Sequence, residues 1–158
     1  MKLYKIGYSK INNKGLFANK DIKKGTKIID YIGKIITKKE TDRNPKFDNS
    51  KAIYLFGINK KYDLDGNFSF NTARLINHSC EPNCEVFGEG LKVWIFAMKN
   101  IKKGEELSYD YGFEFDEDDY QDHICKCGSN NCIGYIISSD DWKKFKNFKK
   151  KQRLKNGR

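Results

Sequence analysis

Proline is scarce in this chain, with only Pro45 and Pro82 among 158 residues. No uninterrupted apolar stretch approaches the ~18 residues that a membrane-crossing helix needs. The first twenty residues are polar and lysine-rich, without the apolar core and small residues of a secretory leader. Repeats are missing too, and no Gly/Ser/Pro-rich linker divides the chain, so the length reads as one domain with its own core. Aromatic residues make up 14%, which argues against a disordered tail. The cysteines are odd in number, five, and closely spaced. That favours thiolates in a reducing intracellular compartment over a disulfide framework.

Acids are fewer than bases, 21 against 31, for a formal charge of +10. The imbalance is local. Residues 114–122 hold six acids and no base, whereas residues 143–158 hold nine Lys or Arg and no acid. Each run reads either as a solvated face or as a division of labour. In the second reading the acids attract a basic peptide and the basic tail touches phosphate, as in a DNA contact.

Short strands separated by Gly, Asn and Asp turns are expected over the first two-thirds. The candidates are Gly15–Ala18, Lys27–Tyr31, Lys34–Thr37, Ala52–Ile58, Lys92–Ala97 and Glu106–Tyr109. Residues 38–50 lack a period and suggest a loop or short helix, and Thr72–Ile76 one helical turn. Trp142, Phe145 and Phe148 recur every third residue among lysines. They predict a basic helix from about 140 to 152, capped by Ser139 or Asp140, its aromatic stripe docked on the domain and its last six residues frayed.

Four cysteines fall into two pieces. Cys80 lies in Arg74-Leu-Ile-Asn-His-Ser-Cys-Glu-Pro-Asn83, and Cys125, Cys127 and Cys132 lie in Cys-Lys-Cys-Gly-Ser-Asn-Asn-Cys. Together they make one all-thiolate zinc site if the fold brings them to one point. Cys84 is left over as an ordinary buried or half-buried thiol.

These blocks resemble, in order, those of SET-domain protein-lysine methyltransferases with a post-SET zinc tail. Asn13-Lys-Gly-Leu-Phe-Ala18 resembles the opening block, in which Asn13 replaces a glycine. Asn71-Thr-Ala-Arg-Leu-Ile-Asn-His-Ser-Cys-Glu-Pro-Asn-Cys84 resembles the most specific motif, although Phe70 stands where a glycine usually precedes it. Ile101-Lys-Lys-Gly-Glu-Glu-Leu-Ser-Tyr-Asp-Tyr111 resembles the catalytic block, and residues 125–136 the Cys-X-Cys-X4-Cys tail.

The resemblance implies a mainly β fold: several short curled antiparallel sheets with a pseudoknot, a zinc-bound tail and a C-terminal basic helix. It divides the chain into a SET domain at 3–113, an acidic connector and zinc segment at 114–136, and a helix and tail at 137–158. The implied methyl donor is S-adenosylmethionine, held by Lys14, Gly15, Leu16, Tyr54, Asn77, His78 and Tyr135. Gly15 would allow close backbone approach. The implied Zn2+ ligands are Cys80, Cys125, Cys127 and Cys132. Catalysis falls to Tyr111, Tyr54 and Tyr109, with Phe113 and Phe115 as further channel wall and no catalytic role for Arg74. A Tyr at 109, where the family carries Phe or Tyr, implies mono- or dimethylation.

The expected partner is a lysine-containing protein, first a histone tail or nucleosome, which would place the chain in the nucleus or on chromatin. A non-histone substrate and an inert zinc module that binds chromatin or nucleic acid are the alternatives.

Overall fold

The computed structural model describes residues 2–47 and 54–156. Among these residues ten strands run β1 Tyr4–Ser9, β2 Asn13–Ala18, β3 Lys27–Tyr31, β4 Lys34–Thr37, β5 Leu55–Gly57, β6 Tyr62–Asp65, β7 Asn77–His78, β8 Cys84–Glu89, β9 Lys92–Ala97 and β10 Ser108–Tyr109. The α-helices among them are α1 Lys38–Arg43 and α2 Trp142–Asn156. Short 3-10 turns occupy Pro45–Phe47, Thr72–Leu75, Tyr120–Asp122 and Ser139–Asp141.

The strands form three small antiparallel sheets, β1-β2, β3-β9-β8 and β4-β6-β5, and one parallel pair, β7-β10. The short antiparallel sheets are as expected, and the parallel pair stands beside them. Two residues suffice for it because Ser79 N–H also donates to the Tyr109 carbonyl at 3.2 Å, extending the register past the strand ends. β9 alternates exposed and buried along Lys92–Ala97 as its β-branched and aromatic residues predict. Leu16, Ile76, Ile95, Ile101 and Leu107 are almost fully buried in the core where the sheets meet. Among the described residues of the expected strand Ala52–Ile58, β5 covers Leu55–Gly57.

The 38–50 stretch begins as a helix because Thr37 caps α1, accepting from the Glu40 N–H. Lys38 and Lys46 pin this insert to the buried carboxylates of Asp63 and Asp65 on β6.

A second apolar cluster stands beside the first. Phe115 and Tyr120 of the acidic connector pack with Ile137 and with Phe145 of α2, joined by Tyr135 and Phe148. The aromatic stripe of α2 therefore does dock on the body. Two details differ from expectation. Ser138 caps the 3-10 turn Ser139–Asp141 that leads into the helix, accepting from the Asp140 N–H, and the helix runs on to Asn156 instead of fraying after 152. Ring contacts of Phe148 with Phe115 and Tyr120 anchor its middle, so the remaining turns propagate from an ordered base.

Candidate active site

β7 and β10 bring the two most chemically loaded segments side by side. On β7, Asn77 is buried, and its Nδ2 donates to Ser9 Oγ, the Lys14 carbonyl and Glu106 Oε1 at 2.8–3.1 Å. The side chain thus ties β2 and the 106 segment together. Gly15 also leaves room for Glu106: a Cβ there would sit 2.5 Å from Glu106 Oε1, and the carboxylate would have to move. Leu16 is wholly buried in the core. Asn13 has φ 56°, a left-handed conformation that Asn tolerates almost as glycine does, so the replacement of the family's glycine leaves the turn intact.

Tyr111 sits where three recesses meet. One, of about 190 Å³, is lined by Asn77, His78, Tyr111, Ile124, Cys125 and Ile136. A second, of about 410 Å³, shares Asn12, Asn77 and Tyr111 with it and adds Lys14, Tyr54 and Arg74. The third, of about 550 Å³, shares only Tyr111 with them and is lined by Leu55, Phe56 and Phe113 with Glu114, Asp116 and Asp119. The first two make one two-lobed cleft, and the third is an aromatic trough rimmed by acids.

A file of rings runs from the core out to Tyr111 and Phe113. Tyr31 contacts Phe56 at 4.4 Å, Phe56 stacks on Tyr109 at 5.9 Å, Tyr109 meets Tyr111 at 4.9 Å, and Tyr111 meets Phe113 at 5.9 Å. The Tyr111 hydroxyl donates to the Ile76 carbonyl at 2.9 Å. Burial, then the neighbouring phenols, push Tyr31, Tyr109 and Tyr111 above the ordinary phenol range, so all three are neutral at physiological pH. His78 is held below its usual value by burial.

Tyr31 and Glu106, which the sequence did not single out, also appear, and Arg74 has a place beside them. Tyr31 donates to the Tyr54 carbonyl at 3.2 Å, and the Arg74 guanidinium lies 5.5 Å over the Tyr54 ring within the two-lobed cleft. Glu106 organises Asn77. Phe113 lines the trough as expected. Phe115 does not: it is buried against α2. Tyr135 likewise faces Tyr120 and Phe145, and Ile136 takes the place beside the cleft.

The four cysteines converge. Their sulfurs all lie within 4.8 Å of one another, with Cys80 3.8 Å from Cys125 and 3.9 Å from Cys132. A tetrahedral thiolate site with Zn–S near 2.3 Å demands S···S of about 3.8 Å, so the donor set and its dimensions fit zinc. N–H groups of Cys80 and Gly134 point at the sulfurs of Cys127 and Cys132. Burial raises the Cys80 and Cys125 thiols. Burial also acts on Cys127, but hydrogen bonds from Ser129 and the Cys80 N–H outweigh it and bring that thiol to about 6. Cys84 stays apart, buried and raised to about 12 by burial.

A SET-domain family model matches residues 13–112. The chain belongs to the SET-domain family. Among similar proteins are human histone-lysine N-methyltransferase 2D, 44% identical over 133 residues, and the Drosophila melanogaster histone-lysine N-methyltransferase trithorax, 38% identical over 135. The Schizosaccharomyces pombe histone-lysine N-methyltransferase, H3 lysine-4 specific, is 40% identical over 139 residues. The alignments cover 80–83% of this chain but only 2%, 4% and 15% of those relatives. Within the SET domain proper fall β2, the Asn77–Cys80 motif and Tyr111; the three tail cysteines and α2 lie beyond the matched span.

Proposed function

We propose that this SET domain is an S-adenosylmethionine-dependent protein-lysine N-methyltransferase that acts on a histone tail and favours mono- or dimethylation. One observation carries the reading: Tyr111 belongs at once to the two-lobed cleft beside Asn77 and to the acid-rimmed trough beside Phe113. A donor and an acceptor entering from opposite sides would meet there. The activity for which the relatives are named supports the same chemistry.

Asn12, Lys14, Tyr54, Arg74, Asn77 and Ile136 would hold the donor. When bound, it supplies an electrophilic methyl group on a sulfonium centre. The chain's own part is alignment and desolvation. A lysine amine attacks only when neutral, and its ordinary pKa is about 10.4. The ring file from Phe56 to Phe113 replaces water with apolar surface and disfavours the ammonium form. Tyr111 is not a base, because its phenol is pushed above 10. With its proton engaged on the Ile76 carbonyl, its oxygen is free to accept and orient the incoming amine. Glu114, Asp116 and Asp119 suit a Lys/Arg-rich peptide in the trough.

Zn2+ on Cys80, Cys125, Cys127 and Cys132 would supply structural order, fixing 112–136 against the cleft through Cys125, which both ligates and lines it. In this reading 3–113 is the catalytic unit and 114–136 the zinc segment, with 137–158 buttressing it. The site of action is then chromatin. No helix among the described residues is long and apolar enough to cross a membrane.

The test is incubation of the purified chain with labelled donor and separated histones, nucleosomes and lysate, beside Tyr111→Phe. Histone labelling that falls about a hundredfold or more in the variant is expected, the scale of losing one preorganised polar group. No labelling would favour an inert zinc module, and labelling in lysate alone a non-histone substrate.

A further inference from the structure

The acidic trough and the zinc cluster leave the face of α2 unexplained. Its 15 residues carry seven lysines, one arginine and no acid. Trp142, Lys146, Lys149, Lys150 and Arg153 fall on one stripe of the helix, at successive spacings of four, three, one and three. Opposite them runs the loop of Asn130–Ile133, and between the two lies a groove of about 830 Å³ floored by Tyr135, Trp142 and Phe145. No ion pair engages Lys146, Lys149, Lys150 or Arg153 among the described residues.

We infer that this groove binds the sugar-phosphate backbone of duplex DNA. Charge complementarity selects a polyanion. Lys146 to Arg153 spans about 10 Å at 1.5 Å per residue, which matches about three 3.4 Å steps of the helix axis, or about four phosphates of one strand. The aromatic floor is not a stacking platform for unpaired bases. Lys146 lies 5.8 Å over the Trp142 ring, and the Trp142 indole N–H is engaged by the Ile137 carbonyl. Lys149 likewise lies 5.8 Å over Tyr120. Capped rings favour backbone contact without base reading, and the choice of duplex DNA over other polyanions rests on the histone-tail reading. Tyr120 packs behind the groove while Asp119, its neighbour in the chain, rims the trough. The two charged runs are therefore adjacent surfaces with opposite partners.

Binding of the zinc-loaded full chain to a labelled 30-base-pair duplex, read by fluorescence anisotropy without methyl donor, tests this apart from catalysis. Micromolar affinity at 50 mM salt is expected, with a log–log salt slope of about −3 to −4 for four contacts. Replacing Lys146, Lys149, Lys150 and Arg153 with alanine should weaken binding at least about tenfold and bring the slope near zero. A charge-matched control, Lys20, Lys24, Lys60 and Lys92 to alanine, should lose less than about threefold, with circular dichroism verifying the fold of both variants. Equal losses in the two variants, no binding at 50 mM salt, or tighter binding of single-stranded RNA of equal charge would each overturn the assignment.

Discussion

The backbone N–H of Tyr111 donates to Nδ1 of His78 at 3.2 Å. An acceptor Nδ1 in a neutral imidazole places the ring proton on Nε2, which lies 3.8 Å from the sulfur of Cys80. One buried ring thus bridges the cysteine cluster and the residue at the junction of the clefts. His78→Ala is expected to weaken zinc binding about 10- to 100-fold, the usual scale for a supporting partner of a ligand. It should also lower kcat, because the Tyr111 backbone loses its anchor. Competition with a chromogenic chelator reads the first effect, and unchanged zinc affinity would remove the bridging role.

Tyr109 is almost fully buried between Phe56 and Tyr111; under the proposed function its phenol takes up room that a growing methylamine needs. Tyr109→Phe is expected to move product from mono- and dimethyl-lysine toward trimethyl-lysine. Mass spectrometry of a reacted peptide decides the matter; an unchanged product ladder would sink the steric argument.

Three buried phenols also predict a weakness in alkali. Tyr31, Tyr109 and Tyr111 stay protonated when folded, whereas in the unfolded chain they ionise near 10. Above that pH the unfolded state binds fewer protons, so stability, complete below 10, is lost as pH rises. The slope is up to about 1.4 kcal/mol per pH unit for each phenol. Urea unfolding between pH 8 and 11 should show it, and Tyr31→Phe should reduce the slope by one proton.

The trough acids are exposed or half-exposed, so each contributes modestly to peptide capture. Neutralising Glu114, Asp116 and Asp119 together as Gln, Asn and Asn is expected to raise KM for a basic peptide about tenfold at low salt, at roughly 0.2–1 kcal/mol per charge. The effect should shrink at 300 mM salt. A KM insensitive to these changes would leave the acidic run a merely solvated face.

Much of this architecture was legible beforehand. Lys27–Tyr31, Lys34–Thr37 and Lys92–Ala97 match expectation at both ends. β8 escaped because only Cys84 of its six residues is buried, which leaves no alternation to read. The parallel pairing of β7 with β10 depends on contacts thirty residues apart, which no local pattern encodes. The same limit governs the site. The cysteines and Tyr111 announced themselves through spacing and motif. Glu106, Arg74 and Tyr31 matter only through neighbours supplied by other strands. The placing of Tyr135 also depends on tertiary contacts: in the extended stretch that bridges to Ile124, successive side chains alternate faces, so Ile136 meets the cleft and Tyr135 the helix.

The packing of Phe145 and Phe148 on Phe115 and Tyr120 sets a limit on trimming this molecule. A version ending at Asp141 would strip the cover from two large rings next to the acids of the trough, inviting self-association in solution. Affinity handles and fusions therefore belong beyond Asn156, so that Phe145 and Phe148 keep their places.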